Sequence, residues 1–231
     1  MLLEIICLVF CILTSFLFIY VRSKKTGVTA LLLKMLASGT ILITAILLSY
    51  KYVSEFYSMF ITFGMFFGLI GDILLDLKQL YPKDEKKYLY AGFLAFSLGH
   101  IMYFLGISSE IPHIDYYWMY TLLLIIPTSI VTYLTLIMCK KMNVDISEDK
   151  GVITMYTAVL SYIVIYSIFV LIIYPKLWIL ALGFVCFAIS DVILSTMYFG
   201  DKKDSKLTCV INHTLYYIAQ ILIVFSICFI Y

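Results

Sequence analysis

Apolar runs of about 20 residues alternate with short polar connections along the whole chain. Eight such runs can be read: Leu2–Val21, Val28–Leu48, Glu55–Leu77, Tyr88–Ile107, Tyr116–Met138, Gly151–Tyr174, Lys176–Phe199 and Leu207–Ile230. A helix rises about 1.5 Å per residue, so each run matches a hydrocarbon core about 30 Å thick. The runs are continuously apolar rather than alternating, which excludes the strands of a barrel. The pattern predicts an all-α polytopic membrane bundle of about eight transmembrane helices. Connections this short leave no room for a soluble domain, so residues 1–231 form one integral membrane domain. The sixth and seventh runs meet at Pro175 with almost no loop.

Composition agrees. The chain is 64% hydrophobic and 13% charged, with a mean hydropathy of +1.06, about half the charge of a soluble domain. The first run carries Glu4 where a signal peptide has a basic region, and no small-residue cleavage pattern follows. It reads as a retained span. Of the 16 basic residues, 13 fall in the odd-numbered connections, and only Lys51 and Lys176 in the even-numbered ones. Cytoplasmic loops concentrate Lys and Arg, so a multi-pass protein of the cell membrane is expected, with both termini outside. A net charge of +2 gives no hint of nucleic acid. The six cysteines form no CxxC pair and are expected to be free.

Charges inside the runs are the next signal, because an ionisable group in hydrocarbon marks a site by default. Two apolar stretches each hold one acid in matched frames: Gly64 to Leu75 around Asp72, and Gly183 to Leu194 around Asp191. In both, a Gly lies eight positions before the Asp, a small residue precedes it, and a Leu follows three positions on. Helical rise puts Asp72 about 8 Å, Asp191 about 13 Å and Lys34 about 10 Å from the basic side. The eighth run adds Asn212, His213, Tyr216, Tyr217 and Gln220 at about 9 to 21 Å from that side. Without water to satisfy them, these groups should face one another or a wet cavity. His100-x-x-Tyr103 and His213-x-x-Tyr216 each lie on the run after an Asp run. Four runs separate them, which suggests a parallel four-plus-four repeat with halves 1–110 and 111–231 and a site between them.

Gly71-Asp72 with Leu75, then Gly92, Phe96, His100 and Tyr103, resembles the first signature of the lysoplasmalogenase family, the YhhN-like membrane proteins. Ser190-Asp191 with Leu194 and Phe199 resembles its second signature. Tyr216-Tyr217-x-Ala219-Gln220-x-Leu222-Ile223 resembles its closing helix, and Lys34 its early lysine. Met35 and Leu215 depart from the family pattern, which has proline and a hydroxyl residue there. The resemblance implies hydrolysis of the vinyl ether bond of lysoplasmalogens to a fatty aldehyde and a glycerophospho-alcohol.

Two buried carboxyls suit that chemistry, one to protonate carbon and one to steady the resulting cation, as in glycosidases. Asp72 and Asp191 are therefore the catalytic candidates, with their roles undivided. Lys34, Asn212, His213, Tyr216, Tyr217 and Gln220 are candidates for substrate binding, the last three as hydrogen-bonding supports or cavity lining. Lys34 has an equal alternative, snorkelling to the interface. His100 is expected to pack or hydrogen-bond rather than catalyse. Asp76 is expected near the surface and solvated. Lys34, Lys78 or Lys206 would meet a lipid phosphate. No cofactor and no metal are expected: zinc usually needs about three protein ligands, and of the three histidines His113 falls in an outer connection. The non-enzymatic alternative is a small transporter or channel that uses the buried Asp and Lys groups to bind an ion or relay protons.

Overall fold

The structure, a computed structural model, describes residues 2–52, 55–111, 117–200 and 205–230. It is 90% helical, with no strand among the described residues. The helices are α1 (Leu2–Arg22), α2 (Val28–Lys51), α3 (Glu55–Leu80), α4 (Glu85–Ser109), α5 (Tyr117–Leu123), α6 (Ile125–Lys141), α7 (Lys150–Ile173), α8 (Trp178–Phe199) and α9 (Lys206–Phe225). Taken as one span, α5 and α6 give eight segments long and apolar enough to cross a membrane. The all-α polytopic bundle that hydropathy predicts is thus observed. The sixth and seventh spans are separate, divided by a 3₁₀ turn at Pro175–Leu177. Another such turn, Pro82–Asp84, joins α3 to α4.

Contacts between connections fix the two ends of the bundle. At one end, Lys86 Nζ donates to Glu148 Oε2 at 2.6 Å. The Asp145 N–H donates to the Phe199 carbonyl at 3.0 Å, tying the α6–α7 connection to the end of α8. The Ser147 N–H holds the exposed Asp145 carboxyl below the usual carboxylate range. At the other end, Lys51 and Tyr52 both bond Glu4, and Lys176 Nζ reaches the Ile230 carbonyl at 3.2 Å. The basic connections after α1, α3 and α6 therefore share one end with the last turn of α8.

Large apolar side chains such as Phe10, Phe16, Leu32, Ile126 and Ile172 are exposed around the bundle, as lipid-facing positions require. Inside, α3 and α4 pack most closely, along glycines that recur every seven residues: Gly64 and Gly71 on α3, and Gly92, Gly99 and Gly106 on α4. A methyl group at Gly71 would lie 2.6 Å from the Phe96 ring, and one at Gly92 would lie 2.6 Å from Leu75 Cδ2. Small residues let membrane helices approach to backbone distance. Here that approach sets the height of Asp72, the residue after Gly71. Gly27, at φ 111°, makes the turn into α2 in a conformation that other side chains rarely adopt.

By contrast α6 is thinly packed. Its buried residues are Thr128, Thr132 and Cys139, and the break at Leu124 from α5 falls just before Pro127, whose ring cannot continue the hydrogen-bond ladder.

Candidate active site

Asp72 is held from two sides. Lys34 Nζ lies 3.1 Å from its Oδ1, and Ser38 Oγ donates to its Oδ2. Lys34 and Ser38 are one helical turn apart on α2, so both point at the same place on α3. From α9, Tyr216 Oη donates to Oδ2 at 2.7 Å. Gln220, one turn further along α9, donates to that hydroxyl at 2.9 Å. The carboxyl is buried, and its three donors include a full positive charge.

The charges continue toward the basic end. Lys34 Nζ is also 3.4 Å from Asp76 Oδ1, and Arg22 Nη2 is 3.5 Å from the same oxygen. Arg22, Asp76, Lys34 and Asp72 form a buried chain of alternating sign, balanced at two of each. The expectation that Asp76 is solvated is therefore wrong: α3 extends to Leu80 rather than stopping at Leu77, and α1 supplies Arg22 to cover it. The longer helix also corrects the depths. Asp72 and Asp191 each precede the end of their helix by eight residues, about 12 Å for both. Lys34 does not snorkel but is buried between two carboxylates.

Asp191 has a different setting. It is only half-buried, and Tyr156 Oη, from α7, donates to its Oδ2. Among the described residues no cation lies within ion-pair distance of it. Asn212 on α9 donates to the Ser190 carbonyl at 2.6 Å and so pins α9 against α8 beside the carboxyl.

Two cavities meet at Asp191. A polar one of about 20 Å³ is lined by Lys34, Asp72, Ser190, Asp191, Asn212, His213 and Tyr216. An apolar one of about 130 Å³ lies between α6, α7 and α8, lined by Val131, Thr135, Leu160, Val164 and Ala188 among others. They share Phe93, Tyr156, Asp191, Leu194 and Tyr198 as a common wall. A narrow polar cavity thus adjoins a slot lined for hydrocarbon, with one carboxyl in the wall between them and the other behind it.

Six of the eight sequence-derived site residues line the polar cavity. Tyr217 and Gln220 stand outside it: Tyr217 Oη is 3.4 Å from Ser38 Oγ, and Gln220 supports Tyr216 from the far side. His100 is buried among Tyr103, Tyr156, Phe184 and Phe187, and neither ring nitrogen has a partner in the protein. His113 lies outside the described residues. Lys78 is buried against Glu85 at 3.3 Å and lies 3.7 Å from the Tyr198 ring centroid, whereas Lys206 is exposed. Among the described residues no three His, Cys, Asp or Glu side chains cluster as for a metal, and the six cysteines are free. Sequence reasoning missed Ser38, Tyr156 and Arg22 as site residues, and named Ser190 only as part of the motif around Asp191. Of the three missed, only Ser38 had a signal, its one-turn spacing from Lys34.

No curated protein and no solved structure matches this chain. A family model, that of the YhhN family, matches residues 29–227 and so takes in α2 to α9 with every cavity-lining group named above. The chain belongs to the YhhN family, the family that includes lysoplasmalogenases.

Proposed function

We propose that this protein hydrolyses the vinyl ether bond of lysoplasmalogens. The observation that carries the reading is the unequal pair of carboxyls at one polar cavity, Asp72 with a lysine and Asp191 without, beside an apolar slot. The chain of a single-chain lipid lies in the slot, and its 1-alkenyl carbons reach Asp191. Asp191 is the acid, because no cation among the described residues pairs with it, and Asp72 is the carboxylate, because three donors including Lys34 hold it.

The steps follow. Asp191 gives its proton to the alkene carbon beta to the ether oxygen, which leaves an oxocarbenium ion facing Asp72. Water attacks the carbon alpha to that oxygen and its proton goes to Asp72, giving a hemiacetal. As the hemiacetal collapses, its hydroxyl proton returns to Asp191, and Asp72 passes its proton to the departing glycerol oxygen. The products are an aldehyde and a glycerophospho-alcohol, and both carboxyls regain their starting states. Desolvated, preorganised charge next to a developing cation is the main source of rate in such a site.

Purified protein incubated with a 1-alkenyl lysophospholipid should release fatty aldehyde. The saturated 1-alkyl ether analogue should be inert, since it has no double bond to protonate. In deuterium oxide the aldehyde, trapped at once by reduction, should carry one deuterium on the carbon next to its oxygen-bearing carbon. No aldehyde from the alkenyl lipid, or equal cleavage of the alkyl ether, rules the reading out.

The buried Arg22–Asp76–Lys34–Asp72 chain favours a second reading, ion or proton transport. Proton flux into liposomes without lipid turnover would support that reading instead.

A further inference from the structure

We infer that Ser190 and His213 hold the attacking water between the two carboxyls, in a pocket sized for that one molecule. The inference rests on the vinyl ether reading for its chemistry, but on the cavity for the water itself. The polar cavity measures about 20 Å³, and one water needs about 10–15 Å³ on this measure. Its walls hold two buried polar atoms with no hydrogen-bond partner in the protein, Ser190 Oγ and His213 Nε2. Ser190 is 1% exposed and His213 5%, so bulk solvent does not serve them. Ser190 Oγ lies close to the Asp191 carboxyl without making a hydrogen bond of ordinary geometry, the arrangement a bridging water would complete.

Both side chains are fixed by contacts that leave those atoms free. Asn212 bonds the Ser190 carbonyl, not its hydroxyl. The His213 ring stands edge-on to Phe18 at a centroid distance of 5.0 Å. A water bridging Ser190 and His213 still has a hydrogen to point at Asp72, whose charge the Lys34 pair sustains. Its oxygen bonds the oxocarbenium carbon as that hydrogen passes to Asp72. Ser190 and His213 are positioning residues here, acting through the water, and a pocket this size discriminates against any larger nucleophile.

Methanol tests this directly, because it captures an oxocarbenium ion as a stable mixed acetal that mass spectrometry distinguishes from aldehyde. At a low mole fraction of methanol, the wild type should give a mixed-acetal share several-fold below that fraction. Ser190→Gly enlarges the pocket and should raise the acetal-to-aldehyde ratio several-fold. A purely structural role would lower both products together and leave the ratio still. An acetal share equal to the methanol mole fraction in the wild type, unchanged in Ser190→Gly and His213→Ala, would overturn the inference, since the water would then come from bulk.

A second measurement needs no turnover. Radiolytic hydroxyl labelling marks side chains next to bound water. His213 should be oxidised well above the fully buried Phe184, and Ser190→Val, which fills the pocket, should cut the His213 signal several-fold. His213 as unreactive as Phe184 also overturns the water site. If the wild type releases neither aldehyde nor acetal while His213 is labelled, the vinyl ether reading fails and the water site stands.

Discussion

At the scale of residues, the two catalytic candidates differ in what their loss strands. Asp72→Asn and Asp191→Asn should each abolish nearly all turnover, because an amide neither delivers a proton nor balances a full positive charge. Their stabilities should diverge. Asp191→Asn strands no cation, so its cost should be about 1 kcal/mol or less, that of a weakened hydrogen bond to Tyr156. Asp76→Asn leaves Arg22 buried beside a neutral amide and Lys34 with one carboxylate instead of two, a loss of about 3–5 kcal/mol. Thermal unfolding in detergent should therefore rank Asp76→Asn below Asp191→Asn, although Asp76 is farther from the reaction. Equal melting points would show that the charge chain adds no stability.

The aspartates and Lys34 were legible because a charge in an apolar run is conspicuous. Tyr156 was not, since one tyrosine among 20 carries no mark and its partner lies 35 positions away. Asp76 was misread because hydropathy ends the third span where charges begin. The backbone continues helical there, because Arg22 and Lys34 neutralise the acid from neighbouring helices.

At the scale of elements, the glycine-lined pair and the thin helix divide the work. Close packing of α3 on α4 gives Asp72 a rigid seat, whereas α6 presents only Thr128, Thr132 and Cys139 as buried residues and forms one wall of the apolar slot. Thr135 of α6 and Leu160 of α7 line that slot. Enlarging either to Trp should raise KM for long-chain alkenyl lipids at least tenfold, while a short-chain analogue keeps most of its kcat. Loss of turnover on both substrates alike would mean that the chain binds elsewhere. Hydropathy foretold the spans. It said nothing of the break at Leu124 or of which faces close, because packing density depends on partners that a single run does not reveal. The glycines were visible in the sequence as letters, but their seven-residue seam acquires meaning only when α3 and α4 are antiparallel neighbours.

At the scale of the molecule, the contacts gather the basic connections at the end nearer to both aspartates. If that end faces the cytoplasm, as the Lys and Arg bias directs, a cysteine replacing Lys87 should resist an impermeant thiol reagent in intact cells, in a background without reactive native cysteines. One placed in the 110–115 connection should react. The opposite labelling would invert the protein and put its slot in the outer leaflet.

The hydroxyl of Tyr216 that grips Asp72 comes from 144 residues further along the chain, and His213 and Asn212 arrive on the same last helix. The ion pairs of α1, α2 and α3 involve residues that leave the ribosome early and join helices that follow one another in the chain, so they close at small entropic cost. The nascent protein therefore carries its full complement of buried charge well before it carries a competent centre. On the proposed reaction, activity would begin only with the release of the final helix, and unfinished chains in the bilayer would be inert toward lipid.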